Sequence, residues 1–171
     1  PAGQQHQKSG RCIYLGAPIP ELGHEGFTAR MTGTLTPTVS GEHTFSLIEI
    51  AGARVTVDGT VVLNSFDERP PRGEAFFSLG SEELQTTVEL VADQPIDIVI
   101  DFAAKPGTGI RGVSVGHRPP VPTGLIERAA AAAADAEVAI VVVGTSAEWE
   151  TEGSDRQSLD LPGDQVELIN A

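Results

Sequence analysis

A proline-rich break, PPVP at residues 119–122, separates two stretches that differ in how their hydrophobic residues are arranged. Before it, from about residue 26 to residue 118, apolar and polar residues alternate in short runs between glycines and prolines. Alternation with a period of two is typical of a strand with one buried face. Many such runs at close spacing predict an antiparallel β-sandwich or barrel.

The segment ARVTVDGTVVLN, residues 53–64, carries the clearest local signal of the first stretch. Two runs rich in β-branched residues flank Asp58-Gly59, and Asp-Gly is a favoured pair for a two-residue hairpin turn. We therefore predict a β-hairpin that turns at these two residues.

The stretch after the break has a different pattern. GLIERAAAAAADA, residues 124–136, is dominated by alanine, the strongest helix former. The segment EVAIVVVG, residues 137–144, contains a continuous run of apolar, mostly β-branched residues without alternation, which predicts a strand buried on both faces of a parallel sheet. A second helix is predicted in LPGDQVELINA, residues 161–171. Residues 123–171 thus read as part of an α/β domain.

The charge of the chain disfavours two classes of partner. The net charge is −13, so nucleic acid and anionic membrane surfaces are disfavoured as partners. Neither a signal peptide nor an apolar run long enough to span a bilayer is recognisable in these residues. The sequence predicts a soluble chain whose compartment it does not identify.

No motif for a metal or a cofactor is found. Cys12 is the single cysteine, which excludes an internal disulfide, and we interpret it as a small apolar residue near an edge. His6, His24, His43 and His117 lack the spacing of metal ligands and are expected on the surface or in loops. The glycine pattern of a dinucleotide site is also absent after the apolar run.

The apolar run leads into an acidic loop, GTSAEWETEGSDRQSLDLPGDQ, residues 144–165. In open α/β sheets, ligands bind outside the carboxyl ends of the strands, and this loop leaves such an end. Its carboxylates could be metal ligands, acceptors for sugar hydroxyls, acid/base groups or simply solvated side chains.

The amino-acid sequence of this loop resembles the acid/base loop of glycoside hydrolase family 3 β-glucosidases, which lies in their second, α/β-sandwich domain. The segment FTARMTGTLTPTVSGEHTFSLIEIAGARVTVDGTVVLN resembles the core of the protective-antigen-type (PA-fourteen) β-sandwich that some of these enzymes carry as an insertion. The resemblance implies four parts. They are a lead-in at 1–25, the sandwich at 26–118, a linker at 119–122 and a partial α/β domain at 123–171.

The resemblance implies a retaining mechanism that uses two carboxyl groups on a β-glucoside or oligosaccharide substrate. Glu152, of the Glu-Gly pair, matches the acid/base, with Glu150 as the runner-up and Glu148 as a further candidate. The nucleophile of the family is an Asp on a preceding (β/α) barrel domain, so we expect this chain alone to be inactive. The alternative is a carbohydrate-binding module without catalysis, which would not need the acidic loop.

Six further residues receive candidate roles from the same resemblance. Trp149 is either a hydrophobic plug or a platform for sugar stacking, and Asp155 and Arg156 either shape the loop or contact substrate. Phe66, Phe76 and Phe77 lie in NSFDERPPRGEAFFSLG, residues 64–80, and one of them could wall an outer sugar subsite. Because neighbours on a strand point oppositely, either Phe76 or Phe77 is expected to face the core.

Overall fold

The computed structural model describes residues 3–16, 22, 26–107, 109–146, 149–150 and 155–171. The chain divides into two compact units, Pro1–Pro120 and Val121–Ala171. Within the described residues, no helix is both long and apolar enough to cross a membrane.

The described residues of the first unit form eight strands and one helical turn. Their order is β1 (Arg11–Leu15), β2 (Phe27–Leu35), β3 (Gly41–Glu49), β4 (Ala53–Val57), β5 (Thr60–Asn64), α1 (Ala75–Ser78), β6 (Leu84–Leu90), β7 (Ile96–Ala104) and β8 (Ile110–Arg118).

The strands form two four-stranded sheets in which every neighbouring pair is antiparallel. One sheet has the order β1-β8-β3-β6 and the other the order β2-β7-β4-β5. Inward side chains from both sheets make one core, in which Phe45, Leu47, Val55, Phe102 and Val113 are almost fully buried. The antiparallel β-sandwich predicted from the alternating pattern is confirmed.

The hairpin predicted at Asp58-Gly59 is confirmed. These two residues join β4 to β5, with φ of 45° and 78°. Positive φ at both central positions is what a type I′ turn requires, and its twist matches that of the flanking strands.

Strand β1 lies within residues 1–25, which the sequence analysis assigned to a lead-in. It pairs with β8, with Arg11 opposite Ser114 and Leu15 opposite Ile110. The five residues of β1 show little sequence pattern of a strand. They form one because they pair with β8, which lies at the other end of the sequence of this unit. Cys12 is buried on this edge strand, as interpreted from the sequence, with Sγ 3.4 Å from the Met31 sulfur.

The expectation that His43 lies on the surface or in a loop is wrong. His43 is fully buried on β3, in the inward row that also contains Phe45 and Leu47. Its Nε2 donates to the Val39 carbonyl at 2.9 Å, and its Nδ1 lies 2.9 Å from Nε2 of His117, so both ring nitrogens have a partner. The two rings stack with centroids 5.1 Å apart.

The second unit contains α2 (Leu125–Ala134) and α3 (Gln165–Asn170). The apolar run at 138–143, predicted as a buried strand, is instead exposed and pairs with no strand of the described residues. A β-strand needs a neighbour to satisfy its N–H and C=O groups, and no described strand offers one to this run.

Acid should weaken the sandwich through His117. Burial, and next the charge of His43, lower the pKa of His117 in the folded chain. As the pH falls below about 6.5, the ordinary pKa of histidine, the unfolded chain binds a proton at His117 before the folded chain does. The contribution of His117 to the free energy of unfolding is therefore present above that pH. It is lost as the pH falls through the lower pKa of the folded chain. We expect His117→Gln to reduce the acid-dependent fall in the free energy of unfolding, measured by urea titrations followed by circular dichroism. An unchanged pH dependence in the variant would contradict this assignment.

Candidate functional site

The ends of the acidic loop are joined by one side chain. The Gly144 N–H donates to Oε1 of Gln165 at 2.7 Å, and Nε2 of Gln165 donates to the Gly144 carbonyl at 2.9 Å. The same Nε2 donates to the Pro162 carbonyl at 3.0 Å. Gln165 is the first residue of α3, so the loop is closed at its base by the helix that follows it.

Inside the loop, the backbone turns at the tryptophan. The N–H groups of Trp149 and Glu150 donate to the Ser146 carbonyl at 2.9 and 3.3 Å. The Trp149 side chain is 51% exposed within this unit. Its indole therefore presents a face that another group can contact.

Arg156 lies beside Glu150, which brings two of the candidate residues together. The guanidinium Nε is 3.3 Å from a Glu150 carboxylate oxygen, and both side chains are partly exposed. This ion pair links two residues that are six positions apart in the acidic loop. Asp155 makes no side-chain hydrogen bond to another described residue. Glu148 and Glu152 lie outside the described residues.

The three phenylalanines lie in a second long loop, residues 65–81 of the sandwich unit. Its two ends are held by buried serines on the turn between β3 and β4. The Ser65 hydroxyl accepts from the Ala53 N–H at 2.9 Å, and the Ser81 hydroxyl accepts from the Glu49 N–H at 3.1 Å. The loop therefore begins and ends on a fixed part of the core.

The middle of this loop is tied to the core by an ion pair between the buried Glu49 and the partly exposed Arg69. Glu49 is 1% exposed, and its two carboxylate oxygens accept from Nε and Nη2 of Arg69, both at 3.2 Å. The Glu49 carboxylate also accepts from the Gly52 N–H, and Arg69 Nη2 donates to the Ile50 carbonyl at 2.6 Å. A planar fork that meets both oxygens is the arrangement that best compensates a buried carboxylate for lost hydration.

Phe66 is partly exposed and rests on the backbone of Gly52. A Cβ at Gly52 would lie 2.9 Å from Phe66 Cδ1, and φ there is +115°, so glycine is required on both counts. Phe66 also lines an open cleft of about 1020 Å³ on the sandwich, together with Tyr14, Arg30 and Asp101.

The polar part of this cleft is a charged cluster on the second sheet. Asp101 accepts from Arg30 Nε at 2.6 Å and from Arg54 Nη2 at 2.8 Å. The hydrogen bond from Arg30 lowers the pKa of Asp101, although partial burial opposes it. Burial raises the pKa of Tyr14 to about 12, with a smaller contribution from Cys12, so its hydroxyl stays protonated at neutral pH.

Phe76 and Phe77 point in different directions, but for a reason that differs from strand alternation. Both lie in α1, where Phe76, Phe77 and Ser78 have φ of 55°, 59° and 60°. Phe76 is buried, with the Arg11 guanidinium 5.5 Å from its ring centroid, and Phe77 is 81% exposed. Left-handed backbone costs about 1–2 kcal/mol per residue outside glycine, so this turn is strained.

Glu49, Arg69 and Gln165 were not identified as functional candidates from the sequence. Glu49 could have been noticed, because it occupies an inward position of the alternating β3 pattern where an apolar residue is expected. Arg69 and Gln165 carry no such signal. Their partners are set by how two loops close, which no local pattern records.

Comparisons with known proteins match most of the chain. A family model described as the PA14 domain matches residues 14–124. A protein named beta-glucosidase from Rhizobium radiobacter is 32% identical over 169 residues, which cover 96% of this chain and 20% of that protein. A probable beta-glucosidase I from Aspergillus terreus is 35% identical over 162 residues, covering 88% and 19%.

A solved structure gives the same picture. The crystal structure of a beta-glucosidase from Kluyveromyces marxianus in complex with glucose is 25% identical, with a TM-score of 0.73, over 97% of this chain and 19% of that one. The resemblance to β-glucosidases expected from the sequence is confirmed. The chain spans about a fifth of the length of the curated relatives it matches.

Removing Arg69 should destabilise the sandwich. Arg69→Ala leaves the Glu49 carboxylate, which is 1% exposed, without its cation. We expect this to lower the free energy of unfolding by about 1–3 kcal/mol, because Arg69 is itself 42% exposed and water can partly replace it. Arg72→Ala is the matched control, because Arg72 is an exposed arginine of the same loop without an ion pair in the described structure, and its effect should stay within about 0.5 kcal/mol. Urea denaturation of both variants measures the difference. Equal stabilities would show that the ion pair does not hold the loop.

Proposed function

This chain belongs to the PA14 domain family, and from that premise we propose that it forms part of a retaining β-glucosidase of glycoside hydrolase family 3. The observation that carries the proposal is the reach of the similarity to β-glucosidases. It extends over 96% of the chain, so it includes the acidic loop as well as the sandwich. A binding module alone would not need that loop.

Glu152 supplies the acid/base carboxyl. In retaining hydrolysis this group protonates the glycosidic oxygen as the first bond breaks, and then takes a proton from the water that releases the sugar. The nucleophile is an Asp of a barrel domain outside these residues. Residues 1–171 alone hold one member of the carboxyl pair and therefore should not turn over substrate.

Glu150 serves as a supporting residue. One of its carboxylate oxygens faces the Arg156 guanidinium at 3.3 Å, so the pair braces the loop on either side of Glu152. Trp149 offers its exposed face for stacking against a sugar ring.

Phe77 walls the outer sugar subsite. Its ring is exposed, its backbone is held in a strained turn, and the loop beneath it is anchored through Arg69, Ser65 and Ser81. Strain that the surrounding structure maintains is common where a side chain must be presented for function. Phe66 supports the same loop by packing against the backbone of Gly52. Phe76 anchors the loop because its side chain is buried.

Substitution of the acid/base should show a dependence on the leaving group. In the intact enzyme, Glu152→Gln should slow hydrolysis of glucosides with poor leaving groups by about 100- to 10,000-fold. Activated aryl glucosides should lose less in the glycosylation step, and azide should partly restore their turnover because it needs no general base. Glu150→Gln should be milder, and residues 1–171 alone serve as the inactive blank. Equal loss on both substrate types without azide rescue would remove the role from Glu152. The same signature in Glu150→Gln alone would move it there.

Two substitutions of Phe77 separate its contact with substrate from the free-energy cost of its left-handed backbone. Phe77→Ala in the intact enzyme should raise KM for oligosaccharides about fivefold, corresponding to about 1 kcal/mol of lost aromatic contact, and leave KM for short glucosides unchanged. Phe77→Gly should lose the same contact yet unfold with about 1 kcal/mol more free energy than the Ala variant, because glycine tolerates the left-handed backbone. Kinetics and thermal unfolding on both variants test the two claims. An unchanged KM would exclude Phe77 from the subsite.

A further inference from the structure

We propose that Gln165 is the positioning residue of the acid/base loop, which it holds in place by pairing its side-chain amide with the peptide groups of Gly144 and Pro162. The inference rests on the proposed function, because it takes Glu152 to be the group that is positioned. Gln165 itself does not touch substrate in this proposal.

The amide of Gln165 is fully used by these contacts. It accepts from the Gly144 N–H at 2.7 Å and donates to the Gly144 carbonyl at 2.9 Å and to the Pro162 carbonyl at 3.0 Å. A primary amide has one oxygen and two N–H bonds, so a single side chain can pair with Gly144 on both sides and still reach Pro162. The pairing with Gly144 repeats the two-bond exchange of a hydrogen-bonded pair in an antiparallel ladder.

The position of this clamp decides its effect. Gly144 is where the apolar run ends and the acidic loop begins, and Gln165 is the first residue of α3, where the loop ends. The Leu168 N–H donates to the Asp164 carbonyl at 2.9 Å, which starts the helix directly behind the clamp. The two ends of the loop are thus held at a fixed separation on a regular element.

Proton transfer makes a glycosidase sensitive to that separation. A general acid must come within about 2.6–3.2 Å of the oxygen it protonates. A displacement of about 1 Å can cost about 100-fold in rate. The Arg156–Glu150 ion pair braces the loop internally, whereas the Gln165 side chain joins Gly144, at the start of the loop, to the first residue of the helix.

Two variants separate the clamp from mere bulk. Gln165→Met keeps the length of the side chain and removes all three hydrogen bonds. Gln165→Glu keeps the shape but replaces the donating nitrogen with an oxygen that faces the carbonyls of Gly144 and Pro162. Gln157→Ala is the matched control, because Gln157 lies in the same loop, is exposed, and makes no side-chain hydrogen bond in the described part of the chain.

The experiment measures kcat and KM of the intact enzyme on one activated aryl glucoside and one glucoside with a poor leaving group, with and without azide. Both Gln165 variants should lose about 10- to 100-fold in kcat on the poor leaving group and clearly less on the activated one, with partial rescue by azide. Gln157→Ala should match the parent enzyme. A merely structural loss lowers the amount of active enzyme and scales both substrates alike, so it cannot imitate this pattern even where a variant folds poorly.

Glu152→Gln, assayed under the same conditions, separates the positioning role of Gln165 from the acid/base role of Glu152. If Glu152→Gln shows the leaving-group dependence and the Gln165 variants do not, the inference is overturned and the proposed function stands. Equal loss on both substrates in the Gln165 variants, or no loss, has the same meaning. If Glu152→Gln itself lacks the dependence, the proposed function is overturned, and the positioning role of Gln165 falls with it.

Discussion

The burial of the Glu49 carboxylate places a strong constraint on how the loop at 65–81 can close over the sandwich. A buried carboxylate is tolerated only when its oxygens are satisfied, and here Arg69 and the Gly52 N–H satisfy them. Arg69 can reach Glu49 only if the loop at 65–81 folds back over the turn between β3 and β4. The position of Phe66, the two serine anchors and the presentation of Phe77 all follow from that closure.

Much of the sandwich could be predicted from local pattern. The hairpin at Asp58-Gly59 and the alternating strands carry their signals within a few residues, because turn chemistry and period-two burial are local properties. Strand β1 could not be assigned in the same way, since it depends on a pairing between Arg11 and Ser114. His43 was misjudged because a buried histidine depends on partners for both nitrogens, and His117 is supplied by another strand.

The candidate site was harder to predict than the fold. The acidic loop was recognisable from its amino-acid sequence. The ion pair between Arg156 and Glu150 lies within it. The left-handed turn at Phe76 and Phe77 contradicts the intrinsic preference of aromatic residues, so no propensity could suggest it. The apolar run at 138–143 shows the converse limit. Its composition is that of a central strand, yet a strand exists only where neighbouring strands complete its hydrogen bonds.

The adjacency of β1 and β8 has a consequence for how such a unit can be inherited. The Val115 N–H donates to the Gly10 carbonyl at 3.0 Å, so the polypeptide enters the sandwich beside the strand by which it leaves. A unit whose entrance and exit are neighbours can be spliced into a surface loop of a host protein without forcing the flanking host residues apart. Its loss or gain then alters what surrounds the host's surface while leaving the host's own core intact.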